Sequence, residues 1–124
     1  MILYLDTSTP TARIWIGDTE YSYETDRNLA RDLLSLLEES LQKSNLTWEG
    51  ITGLAVFRGP GSFTGLRIGI TVINTIAYSQ QLPIVGTLGD NWRAEAHIRL
   101  NNHDDDKVIL PYYDKPANVT PPKH

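Results

Sequence analysis

Residues 59–69 read GPGSFTGLRIG, and no other stretch has residue types and spacing so close to recognisable chemistry. The apolar run GLAVF at 53–57 enters it, and a long apolar run from Leu66 to Ala77 leaves it. Glycine admits left-handed backbone and close approach without a Cβ clash. Pro60 presets a turn, and Ser62 is placed to cap the free N–H groups that open a helix. The stretch therefore predicts a strand, a rigid turn and a capped helix start. A start of that kind can hold an anion, because unpaired amides and the helix dipole point the same way. It can equally be a joint that packs helix on sheet. Both common nucleotide patterns fail on spacing. No lysine follows the glycines as a Walker loop requires. Gly59, Gly61 and Gly65 run one residue too long for the dinucleotide fingerprint.

Other reactive side chains form weaker patterns. His97 and His103 lie near Glu95 and the run Asp104, Asp105 and Asp106. Their spacing matches no zinc-binding helix, so solvated histidines are expected and no metal site is predicted. Ser62 does not sit on a Gly-x-Ser-x-Gly elbow, which argues against serine catalysis. Arg58 and Arg67 flank the loop. They either meet phosphate or an acidic patch, or cover apolar surface with their stems while the heads stay in water.

Composition narrows the field. A chain of 124 residues has room for one core. A net charge of −4 gives no footprint for tight nucleic-acid binding. The absence of cysteine excludes disulfides, thiolate zinc sites and a cysteine nucleophile. No apolar run reaches the length of a membrane span, and residues 1–6 lack the basic start of a signal peptide, so a cytoplasmic protein is expected.

The elements that must position these residues follow from periodicity. Residues 2–6, 11–16 and 20–25 are short β-rich runs separated by brief turn signals, which predicts an antiparallel meander. Residues 28–44 form an amphipathic helix whose apolar arc spans roughly 160°. Residues 53–57 make a fourth strand, and 63–81 a second helix apolar over roughly 220° of its wheel. Residues 82–86 read as a fifth strand and 88–100 as a third helix. Trp15, Trp48 and Trp92 read as core or edge packing. This order predicts an α/β fold, a mixed five-stranded sheet with helices packed on it. Residues 101–107 read as a polar, solvated hinge, followed by an extended Pro-rich tail to 124. The second helix exposes more apolar surface than one sheet face can cover, so another helix or another chain must cover the rest.

With these pieces placed, the run ILYLDTS at 2–8, the 59–69 loop and PYYDKP at 111–116 resemble the TsaB family, also called YeaZ. The resemblance implies a single actin-like ATPase (RNase H-like) lobe over residues 1–100, with 101–124 as hinge and tail and the family's second lobe missing. It implies a non-catalytic subunit that binds and activates a TsaD-like transferase in making N6-threonylcarbamoyladenosine at tRNA position 37. A TsaE-like ATPase is the further partner implied. ATP and metal are expected on those partners, none on this chain, and tRNA contact is expected to be indirect. In this family the contact with TsaD is a helix bundle, which places Leu33, Leu37, Leu41, Ile70, Ile73, Asn74 and Ala77 at the expected interface. Gly59, Pro60, Gly61, Ser62, Thr64, Gly65 and Arg67 form the expected structural loop. Asp6, Thr7 and Ser8 stand where actin-like ATPases hold metal and phosphate, and read either as a vestigial nucleotide site or as groups that satisfy backbone at a strand end. Two other functions stay open: a stand-alone nucleotide-binding ATPase-like enzyme, and a homodimer built on the same helices.

Overall fold

The computed structural model describes residues 1–111. The Pro-rich tail expected beyond Pro111, with Pro116, Pro121 and Pro122, lies outside the described residues. Strands β1 (Ile2–Asp6), β2 (Thr11–Ile16) and β3 (Thr19–Glu24) form the expected antiparallel meander, with Leu3 opposite Ile16 and Leu5 opposite Ile14. Strands β4 (Gly53–Phe57) and β5 (Ile84–Thr87) add in parallel on the far side of β1, giving the order β3-β2-β1-β4-β5. Parallel neighbours cannot be joined by a tight turn. Helix α1 (Leu29–Lys43) therefore lies on the path from β3 to β4, and α2 (Phe63–Gln80) on the path from β4 to β5. Helix α3 (Trp92–Asn101) follows β5.

Alternation along the strands sends neighbouring side chains to opposite faces. Leu3, Leu5, Ile14, Ile16, Leu54, Val56 and Ile84 pack on one face against Leu29, Leu33, Leu37 and Leu41 of α1 and Ile70, Ile73, Ile76 and Ala77 of α2. Tyr4, Trp15, Ala55, Phe57 and Val85 share the other face with Trp92 and Ala96 of α3 and with Leu66. The Trp92 ring meets Tyr4 and Trp15 edge-on, at centroid distances of 6.1 and 5.7 Å. Trp15 and Trp92 are thus core residues, while Trp48 is half-buried at the margin.

Two element starts differ from expectation by two residues or more. Strand β5 begins at Ile84, and α3 begins at Trp92 instead of residue 88. Gly89 takes a φ of 80°, and the buried Thr87 hydroxyl donates to the Trp92 carbonyl at 2.7 Å, so residues 88–91 turn the chain before the helix starts. Helix α2 ends on Gln81 at φ 54° and ψ 51°, a left-handed position where glycine is the usual residue. Such a conformation costs a residue with a Cβ about 1 kcal/mol. Gln81→Gly is therefore expected to raise the unfolding free energy by about 0.5–1 kcal/mol in a urea titration.

Residues 101–107 are not a free hinge. Their side chains are largely exposed, yet the segment is tied to the β5 edge as a strap. Asp105 Oδ1 accepts the Ile84 N–H at 3.1 Å, and Asp106 Oδ2 accepts the Gly86 N–H at 3.0 Å. Arg99 bridges from α3 to Asp104 at 2.6 Å and to Asp106. Ile109 then enters the main core, and Gly86 makes room for it, since a Cβ there would overlap both Arg58 and Ile109. Arg99's hydrogen bond holds the Asp104 carboxyl below its ordinary range. Because the folded value is the lower one, this contribution is present above the unfolded pKa and is lost as pH falls through the folded one. The Arg99–Asp104 contact is expected to stay intact on acidification to about pH 4 and to loosen only below it. Carboxyl titration by NMR checks this: an Asp104 curve at or above the ordinary value contradicts it.

Candidate functional site

The glycine-rich loop is a joint between β1 and α2. The Ser62 N–H donates to the Ser8 carbonyl at 2.9 Å, and Ser62 Oγ accepts the Gly65 N–H at 3.3 Å, so Ser62 is the helix cap its position predicts. Thr7, 1% exposed, lies beneath α2 and donates its hydroxyl to the Gly65 carbonyl at 2.7 Å. The spacing of the glycines now has a cause. A Cβ at Gly61 would overlap Ser8, one at Gly65 would overlap the Thr7 carbonyl, and one at Gly69 would overlap the Thr7 side chain. These positions, four residues apart, let loop and helix lie directly on the end of β1. Gly59, at φ 131°, supplies the backbone reversal and accepts the Gly89 N–H at 3.2 Å. Pro60 and Thr64 are exposed on the outer side of the loop.

The same contacts engage Asp6, Thr7 and Ser8, the residues expected as a vestigial nucleotide site. Asp6 Oδ1 accepts the Ser8 N–H at 2.8 Å, the Thr7 hydroxyl is bonded inside α2, and the Ser8 carbonyl holds Ser62. Asp6, Thr7 and Ser8 thus satisfy backbone groups at the strand end.

Most of the interface residues expected from the helical wheels are placed elsewhere. Leu33, Leu37, Leu41, Ile70, Ile73 and Ala77 are all buried, packed on the chain's own sheet. Asn74 is half-buried, with its amide accepting the Ile109 N–H and donating to the Ile109 carbonyl, both at 2.9 Å. The middle of each apolar arc faces inward, and its flank carries the surplus. On that flank Leu34 is 48% exposed, Ala30 is exposed, and Ile68 and Val72 are half-buried. Between α1 and α2 lies a groove of about 320 Å³, lined by Ala30, Thr64, Arg67, Ile68, Thr71 and Val72, and Leu34 stands one helical turn along α1 from Ala30. The Arg67 guanidinium lies 5.3 Å from the Phe63 ring centre, covering apolar surface at the groove mouth. Arg58 donates to the Leu110 carbonyl at 2.9 Å and so belongs to the strap. The sequence signal for open apolar surface on α1 is Leu34, which falls off the four-residue ladder of Leu29, Leu33, Leu37 and Leu41.

The histidines do not assemble a metal centre. His97 pairs with Tyr4 Oη at 3.5 Å and with Asn101 Nδ2 at 3.0 Å, and His103 is exposed. Among the described residues, no three His, Asp or Glu side chains converge on a metal position. Tyr4 sits against the aromatic core, where burial raises its pKa and Arg93 opposes the rise. Among the described residues, no helix is long and apolar enough to cross a membrane.

A meander continued by two parallel strands, with α1 and α2 on one face and α3 on the other, defines a single lobe of the actin-like ATPase type. Residues 22–114 match the family model described as TsaD: tRNA N6-adenosine threonylcarbamoyltransferase. The tRNA threonylcarbamoyladenosine biosynthesis protein TsaB of Haemophilus influenzae is 31% identical over 112 residues, covering 87% of this chain and 47% of that protein. The protein of the same name from Escherichia coli is 34% identical over 89 residues, covering 68% of this chain and 38% of that one. The solved structure of YeaZ from Pseudomonas aeruginosa aligns with a TM-score of 0.60 at 30% identity, over 70% of this chain and 43% of that one. The chain belongs to the family of the threonylcarbamoyltransferase TsaD and, within it, to the TsaB/YeaZ branch. It spans less than half the length of the curated relatives it matches.

Proposed function

We propose that this chain is a non-catalytic subunit in the synthesis of N6-threonylcarbamoyladenosine on tRNA, and that it works by docking on a TsaD-like transferase. The observation that carries the reading is the groove between α1 and α2, with Leu34, Ala30, Ile68 and Val72 turned outward beside it. A small lobe leaves such apolar surface open chiefly where another protein covers it. The Thr7 hydroxyl at the strand end is engaged by the chain's own helix and the glycine loop packs on Ser8, which favours a docking role over a stand-alone ATPase. A TsaE-like ATPase joins the assembly through TsaD, and tRNA is met by the partner. In the absence of TsaD the same groove accepts a second copy of the chain. Such a pair would be isologous.

Reconstitution tests the reading. The remaining components of the threonylcarbamoylation system, TsaD and TsaE among them, are combined with unmodified tRNA, with and without this chain, and nucleosides are quantified. Modification is expected to depend on the chain. Equal modification without it overturns the proposal, as does micromolar binding of ATP by the chain alone.

A further inference from the structure

The end strand β5 turns the backbone groups of Val85 toward β4 and those of Ile84 and Gly86 outward. An open strand edge of this kind is a template for pairing with another chain. Here all four outward groups of Ile84 and Gly86 are occupied. Asp105 and Asp106 carboxylates accept the Ile84 and Gly86 N–H groups, at 3.1 and 3.0 Å. The Ile84 carbonyl accepts the Asp106 N–H at 2.7 Å, and the Gly86 carbonyl accepts Arg99 Nη1 at 3.3 Å. Only one of the four partners is the backbone of a neighbouring segment. The rest are side chains, so the strap follows the edge without becoming a sixth strand.

We propose that Asp105, Asp106 and Arg99 guard the β5 edge, occupying its backbone groups with side chains so that no strand of a second copy can pair there. Three features support a guard over a passive turn. Arg99 holds Asp104 and Asp106 together, which fixes the Asp106 carboxylate in position to accept the Gly86 N–H. Asn74 grips both backbone groups of Ile109, anchoring the far end of the strap on α2. Carboxylates accept but never donate, so the guard offers no matching N–H row for an incoming strand to copy. The opposite edge, β3, has a different defence, with exposed Glu20 and Glu24 along it.

The test uses the full chain carrying Asp105→Ala and Asp106→Ala, in a Leu34→Asp background so that association through the helical groove does not interfere. Amide exchange at Ile84 and Gly86 is expected to accelerate by about tenfold or more while β1 amides keep their protection. Sedimentation velocity is expected to show dimers that grow with concentration, absent from the Leu34→Asp parent. Unchanged exchange at both amides overturns the proposal, and so does an exposed edge on a chain that stays monomeric at every concentration. If the double variant does not fold, Arg99→Gln decides, because it releases the Asp106 carboxylate and the Gly86 carbonyl without touching the core. Faster Gly86 exchange with dimer formation supports the guard. A monomer with parental exchange at Ile84 and Gly86 refutes it.

Discussion

Gly69→Ala is expected to destabilise the chain by about 2–3 kcal/mol, although glycine to alanine inside a helix ordinarily stabilises by about 0.5–1 kcal/mol. The sign reverses because the new methyl would fall on Thr7, a fully packed residue at the end of the central strand. Overpacking of a tight site costs about 1–3 kcal/mol. Moving α2 away to relieve the overlap breaks the hydrogen bond from Thr7 to Gly65, and an unsatisfied buried hydroxyl costs about 1–3 kcal/mol. Thr7→Ala removes Oγ1 and Cγ2, the two atoms nearest the added methyl, and leaves only Cβ, at 3.1 Å. The cost of Gly69→Ala should therefore largely vanish in a Thr7→Ala background, giving a coupling of about 2 kcal/mol in a double-mutant cycle of urea unfolding. Additive costs would mean that the glycine stripe is not there to admit Thr7.

The second large effect concerns association. Leu34→Asp with Val72→Glu places two charges on the open face of the helix pair. Leu34 is half-exposed, and the half-buried Val72 packs at the margin of the core, so the two changes are expected to cost about 1–3 kcal/mol together while leaving the chain folded. Binding to TsaD should weaken at least about 100-fold, because a buried charge without a partner costs several kcal/mol at an interface. Ile73→Asp is not an equivalent test. Ile73 has no exposed surface, so a charge there is expected to unfold the chain instead of separating it from a partner.

These outcomes show what periodicity can and cannot reveal. The apolar runs at 2–6, 11–16 and 53–57 gave strands with those bounds, because burial on both sheet faces leaves no other use for them. Ser62 was legible as a cap from local chemistry alone. The wheels correctly showed a surplus of apolar surface on α1 and α2. They could not show which part of the arc the sheet would take, since a wheel has no neighbours. The centre went inward with Leu33, Leu37 and Ile73, Val72 took the core margin, and Leu34 stayed outside. The strap was hidden for a related reason. A run such as Asn101 to Lys107 reads as solvated by composition, and nothing local says that a strand edge with free N–H groups will lie beside it. Asn74, polar on an apolar helix, was the trace of that contact, and its partner Ile109 lies 35 residues away.

Titration of the folded chain into TsaD by calorimetry tests the docking surface most directly. Saturable binding is predicted for the parent chain, and at least a 100-fold weaker Kd, by about 2.7 kcal/mol, for the folded Leu34→Asp, Val72→Glu variant. No heat of binding from the parent, or equal affinity from parent and variant, would contradict the account.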